Sequence, residues 1–468
     1  MRKNKKQPNV QRNMNGKIFF LFVYFICAFN LSAQQNYKSV AEGIIKKGLN
    51  EQEAYTMLTE LTSTIGARLS GSPQFAKAIE WGKRTMESKG FDSVWLEPVK
   101  VPHWVRNSIE KASLIVGKKK LPLAVCALGG SIATAKKGMT AEVIEVHSFE
   151  EVRALGEKAK GKIIFYNRPF DKTKANTGEA YGGAVEQRTS GSVEAAKVGA
   201  VGVIVRSMTN ALDNQPHTGA MNYNDSIPKI PAAAVSTLGA NLLSEALQKE
   251  KNVRVSLQLN CETLPDVDAF NVIGQLRGTE KPNEVILLGG HLDSWDKGTG
   301  AHDDGAGCVQ SIEAVRILKS LGMQPKRTIR VVLFANEENG LRGGKAYADN
   351  QRTSNEKHIA AIESDFGGGV PRGFGVDADS LQFEKIKSWS PIFDLINADK
   401  IRKGGGGADI SPLSKKGVPL IGLNPDGQRY FDYHHSHNDT IDKVHPRELE
   451  LGAIAMSMLS WLLAEEGL

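Results

Sequence analysis

The chain has 468 residues, 41% hydrophobic and 24% charged, with 47 glycines. That is globular composition at two-domain length, and it excludes a disordered, collagen-like or disulfide-dense scaffold. The formal charge of +7 is local in origin: six of the 59 basic residues and none of the 52 acidic ones fall in the first 33 positions, leaving 53 against 52 and no excess for nucleic acid.

Those 33 residues read as a signal peptide. Arg2, Lys3, Lys5, Lys6, Arg12 and Lys17 precede an apolar run, Ile18 to Phe29, and a small-residue end, Leu31-Ser-Ala33. The run of about 12 residues is short of the ~20 a spanning helix needs, so stable membrane insertion after cleavage is not expected. Ile26 is not the small residue that lipidation of Cys27 would want. A secreted or periplasmic protein follows. Cys126, Cys261 and Cys308 remain, an odd, widely spaced set that makes neither a disulfide framework nor a zinc motif.

In chain order, an acidic helix starts near Asn50, and Ser72-Pro73 supplies an N-cap and first-turn proline for a helix that buries Phe75, Ile79, Gly82 and Met86 and stops at Gly90. Ser93 to Val101 alternates as a strand. From about 120 to 255 the texture changes to short strands, 141–146, 161–166 and 201–205, with a helix over 193–200 and loop chemistry at Pro216-His-Thr-Gly219 and Pro228-Lys-Ile-Pro231. After it come strands over 284–288, 327–335, 358–362 and 418–423, with a helix from Asp304 to Leu321. Apolar strands alternating with helices predict an α/β fold: a mostly parallel sheet sandwiched by helices, with residues 120–255 inserted as a separate module.

Polar residues gather where these strands end, the edge at which open α/β sheets place ligands. They are Gly289-Gly-His-Leu-Asp-Ser294, Ala301-His-Asp-Asp-Gly-Ala-Gly307, Asn336-Glu-Glu-Asn339, Glu363-Ser-Asp365 and Tyr433-His-His-Ser-His-Asn-Asp-Thr440. Carboxylates crowded together without lysine would repel one another, and bound divalent cations resolve the conflict. Two ions need about one imidazole and two carboxylates each, one carboxylate bridging, a donor set that suits Zn²⁺.

Gly-Gly-His-Leu-Asp-Ser-Trp, Asp-Asp-Gly-Ala-Gly, Asn-Glu-Glu and His-Ser-x-x-Asp-Thr resemble the signatures of the co-catalytic dizinc aminopeptidase and glutamate carboxypeptidase family. The likeness reaches Val193 to Ala200, Pro216 to Gly219 and Pro228 to Pro231, covering residues 38 to 465. The resemblance implies a zinc-exopeptidase-like domain formed by 38–119 and 256–468, with 120–255 a protease-associated domain at the rim of the cleft that restricts substrate size, makes a dimer contact, or is a passive scaffold. It implies two Zn²⁺ per chain, Asp303 bridging, His291 and Asp365 completing one site and Glu338 and His435 the other. Glu337 would be the general base toward a metal-bridged water, and Asp293 would orient His291 through its other ring nitrogen.

His434 occupies the position where some relatives carry an oxyanion-stabilising tyrosine, and His437 reads as a solvated turn residue. Gly404-Gly-Gly-Gly-Ala-Asp409 is either a linker or a pocket loop whose Asp409 binds a substrate ammonium. The implied activity is hydrolysis of short peptides or dipeptides, in a possible homodimer. A single-zinc aminoacyl cyclotransferase of the glutaminyl cyclase type and a noncatalytic receptor-like member are the alternatives. Glu337 and Glu338 are adjacent, so both can face one site only if their strand has already ended in a turn.

Overall fold

A computed structural model describes residues 37–350 and 355–468; the leader read over 1–33, with Cys27, lies outside them. The chain forms two units, residues 1–43 and 44–468. In the first, residues 37–43 are helical; all that follows concerns the second. The helix Pro73–Ser88 starts as expected: the Ser72 hydroxyl accepts the Phe75 N–H at 3.1 Å, and Phe75, Ile79, Gly82 and Met86 are buried.

The first sheet has eight strands: β1 (Ser93–Val105), β2 (Glu262–Leu276), β3 (Lys281–His291), β4 (Arg327–Phe334), β5 (Lys357–Glu363), β6 (Pro371–Asp377), β7 (Lys400–Lys403) and β8 (Leu420–Pro425), in the order β1-β2-β4-β3-β5-β8-β6-β7. The central four, β4-β3-β5-β8, are parallel, and β1, β2 and β6 add antiparallel flanks. Every residue of β4 is buried, as a strand covered on both faces requires. The helices Ala306–Ser320 and Pro446–Glu466 pack against each other and against β3. Because the four central strands run the same way, their carboxyl ends share one edge.

A second eight-stranded sheet draws on residues 110–259, with Met139–Val146, Ile163–Tyr166, Gly202–Arg206 and Ala232–Val235 side by side. Its alternate residues feed two cores: Ile163, Phe165 and Ile204 on one face, Ile164, Tyr166, Val203 and Val205 on the other. Trp104 and Trp295, from the first sheet and the loop after β3, join the former, edge to face at 6.4 Å. Cys126, Cys261 and Cys308 are free and buried. Among the described residues no helix is long and apolar enough to cross a membrane.

Candidate active site

β3 delivers His291 as its last residue. Its Nδ1 meets the Asp293 carbonyl at 2.9 Å, so Nε2 is turned outward, where it lies 3.3 Å from Asp303 Oδ1 and 3.4 Å from Asp365 Oδ1. The backbone carbonyl of Asp293, rather than its carboxylate, therefore aligns the ring. The carboxylate serves two other donors: Oδ2 accepts the Ser70 hydroxyl at 2.8 Å and Oδ1 the Glu337 N–H at 3.0 Å.

Asp303 sits in the loop before the helix Ala306–Ser320, and that loop is held from two sides. Asp439 accepts N–H bonds from Ala301, His302 and Asp303 at 3.1, 2.7 and 3.1 Å. Arg68, fully buried, donates to the carbonyls of Leu292, Thr299 and Gly300 at 2.5, 2.7 and 3.0 Å, tying the loop after β3 to the one carrying Asp303. Asp304 links the same two segments, accepting the His291 N–H at 3.0 Å and the Gly307 N–H at 2.9 Å.

β4 ends at Phe334, and the chain enters a turn in which Asn336 takes a left-handed φ of 67°. That meets the condition for Glu337 and Glu338 to share a site. Glu338 Oε1 accepts the Trp295 N–H at 3.0 Å while Oε2 lies 3.0 Å from His435 Nε2. Glu337 Oε2 approaches His291 Nε2 at 4.0 Å. His435, at φ 61°, also places Nε2 3.2 Å from Asp303 Oδ2, and His434 stacks on it with ring centroids 3.5 Å apart and Nε2 3.7 Å from the same oxygen.

Asp303 thus stands between two groups, His291 with Asp365 and His435 with Glu338, which also brings His434 close. The first trio and the trio Asp303, His434, His435 each offer ligand atoms within 4.8 Å of one another. His291 Nε2 and Asp303 Oδ2 are buried and hydrogen-bond no protein group, a costly condition unless an ion is served. Burial and Asp303 push Glu338 up to about 7. Burial pulls His435 down, but Glu338 and Asp303 outweigh it and hold the imidazole at about 9. A cluster of close acids and imidazoles such as this one could hold a divalent ion, whose binding would release their protons.

The site opens on a cleft of about 740 Å³. Its lining includes Asp303, Glu337, Glu338, Asp365, His434 and His435, together with Tyr181, Arg188, Ala220 and Met221 from the second sheet's segment. His437 stays outside the cluster on an exposed turn, its imidazole pulled down chiefly by desolvation. Asp409 does not reach the cleft. It is 1% exposed, both carboxylate oxygens lack partners, and its N–H turns to Glu363 Oε1. Burial and the neighbouring Glu363 push its carboxyl well up, and its enclosure keeps it from a substrate's ammonium in the cleft. Arg68, Ser70, Tyr181 and Arg188 carried no local signal; the Pro216 to Gly219 likeness did mark Thr218, and the Ser-x-x-Asp spacing did point to Asp439.

A model of peptidase family M28 matches residues 271–460. Carboxypeptidase Q of Bos taurus is 36% identical over 436 residues, 92% of this chain and 90% of that protein, and carboxypeptidase Q of Homo sapiens is 35% identical over 429 residues, 91% and 89%. A peptidase M28 precursor from Shewanella amazonensis superposes with a TM-score of 0.89 at 37% identity, covering 93% of this chain and 98% of that one. A zinc aminopeptidase from Bacillus subtilis shares the fold, with a TM-score of 0.64 at 20% identity over 88% of this chain and 95% of its own.

Proposed function

The chain belongs to peptidase family M28, and on that premise we propose that it is a zinc-dependent exopeptidase hydrolysing short peptides or dipeptides beside a free terminus. The observation that carries the reading is the placement of Asp303 between His291 with Asp365 and His435 with Glu338. These five would hold two ions, Asp303 shared. The unpartnered His291 Nε2 and Asp303 Oδ2 fit that assignment. When bound, zinc supplies Lewis acidity, lowering the pKa of a water toward ~7 and polarising the scissile carbonyl.

The chain's own groups do the rest. Glu337, on the cleft wall and not needed as a ligand, takes the proton of the attacking water and returns it to the leaving nitrogen. Asp293 holds the Glu337 backbone at 3.0 Å and so sets where that carboxylate reaches. His434 is kept neutral by burial and by the charge of His435, and its ring can offer an N–H to the carbonyl oxygen as charge develops. Residues 120–255 act as a protease-associated module that closes the far wall and limits substrate size. The leader over residues 1–33 supports export.

Metal analysis of the purified protein, with hydrolysis assays on free and terminally blocked dipeptides, tests the reading. Two zinc ions per chain and cleavage abolished by Glu337→Gln support it. One zinc without hydrolysis favours cyclotransfer, and a metal-free protein removes the site.

A further inference from the structure

We propose that Tyr181, polarised by Arg188, donates a hydrogen bond to the substrate oxygen that becomes negatively charged when the peptide carbonyl is attacked; the inference rests on the hydrolytic reading above.

Tyr181 belongs to the short helix Thr177–Gly182 in the second sheet's segment, and it lines the same cleft as Asp303, Glu337 and His434. Its hydroxyl accepts from Arg188 Nη2 at 2.7 Å. One lone pair is therefore engaged, while among the described residues no protein acceptor takes the phenolic hydrogen. A phenol is protonated at neutral pH, and a cation donating to its oxygen strengthens it as a donor.

The ring is fixed for this task. It stacks on Phe431 at 4.7 Å with 20° between planes, meets His434 edge to face at 5.2 Å, and lies under the Arg188 guanidinium at 5.5 Å. Arg188 is itself 6% exposed, with Nη1 3.3 Å from the Thr218 carbonyl. Oxyanion sites work when donors are in place before charge develops, and packing on three sides provides that. His434, against which the Tyr181 ring packs, has its Nε2 turned to Asp303, so the phenol brings a second donor from the inserted segment to the cleft.

In the step concerned, the water oxygen forms a bond to the carbonyl carbon and the carbonyl π pair moves onto oxygen. Tyr181 and His434 stabilise that oxygen without giving up their protons. The pair then returns, the carbon–nitrogen bond breaks, and Glu337 passes the water's proton to the amine.

Tyr181→Phe keeps the ring contacts and removes only the donor. With zinc content and melting temperature unchanged, the expected result is a kcat lower by roughly 10- to 1000-fold, bracketing the loss of one oxyanion donor. KM should stay within about threefold, and a phosphinic dipeptide analogue, whose tetrahedral centre imitates the charged oxygen, should weaken by the same factor as kcat/KM. An active wild type whose variant keeps kcat, or shows only a raised KM with analogue affinity intact, overturns the inference and leaves the hydrolytic reading standing. A wild type that cleaves no peptide overturns both.

Discussion

Thr218 and His435 meet twice: the Thr218 N–H donates to the His435 carbonyl at 2.9 Å, and the Thr218 carbonyl lies 3.3 Å from His435 Nδ1. A loop of the second sheet thereby fixes both the backbone and the ring of a residue proposed to hold zinc, directing Nε2 to Asp303 and Glu338. Gly219 follows at φ 135°, and a Cβ there would run into the Arg188 guanidinium and come within 2.7 Å of His435 Nδ1.

Gly219→Ala is expected to displace both side chains while the second sheet stays folded. Groups that orient a metal-ligating histidine are worth roughly 10–100-fold in metal affinity. Chelator competition should show a loss of that size for one of the two ions, with activity falling in step; unchanged zinc affinity would detach Thr218 and Gly219 from the site.

Glu337 and Glu338 are neighbours with separable outcomes. Glu337→Gln should keep its zinc and lose about 10²–10⁴ in kcat, the range of general acid–base assistance. Glu338→Gln, which alters the partner of His435 Nε2, should bind less zinc. Parallel metal analysis and kinetics on the two variants decide it, and equal zinc loss in both would refute the division of roles.

Asp439 takes three backbone N–H groups from the loop that carries Asp303. In Asp439→Asn an amide NH₂ faces some of those donors, at a cost of about 1–3 kcal/mol for each buried group left unpaired. Denaturant unfolding with and without added zinc should show lower stability in both conditions and a smaller gain from the metal.

A pH effect is expected away from the site. Glu450 is buried beside Glu313, which Arg316 grips at 2.6 and 2.7 Å; Glu450 Oε1 has no partner. Burial and the Glu313 charge push the Glu450 carboxyl up to about 9. Its folded-state pKa is raised, so the folded chain holds the proton more tightly and stability is lost as pH climbs from about 4.5 toward 9. Glu450→Gln should melt near the wild-type temperature at pH 4.5 and several degrees above it at pH 8.5, at about 2–4 °C per kcal/mol regained. Parallel melting curves at both pH values would contradict this.

The features legible in the sequence are those whose cause is local. Ser72-Pro73 caps a helix because its own hydroxyl and ring do so, β3, β4, β5 and β8 announce themselves as apolar runs, and the polar clusters sit at their ends. β2 was hidden: Glu262 to Leu276 begins with exposed residues, Pro265 and two aspartates, and becomes buried only from Ala269 onward. Its strand character comes from pairing with β1 and β4, which no single window displays. The positions of Arg68 and Arg188 were equally illegible, since Arg68 works on carbonyls more than 220 positions away and Arg188 touches His435 across 247. Asp409 shows the opposite error, a charged residue beside a glycine run that reads as a binding loop and folds inward.

The pairing of β1 with β2 runs from Ser93 opposite Gln275 to Val105 opposite Glu262. The chain therefore departs from the first sheet and rejoins it at adjacent points. In connectivity the intervening stretch is a detour with a narrow neck: a brief linker from Val105 to Glu262 could bypass it without lengthening any span in the first sheet. Such a shortened chain would keep β3, β4 and β5 with His291, Asp303, Glu338 and Asp365 on them or on their following loops, yet leave His435 with no Thr218 to steer it. The detour adds no strand to the first sheet, yet it supplies the Thr218 groups that meet His435.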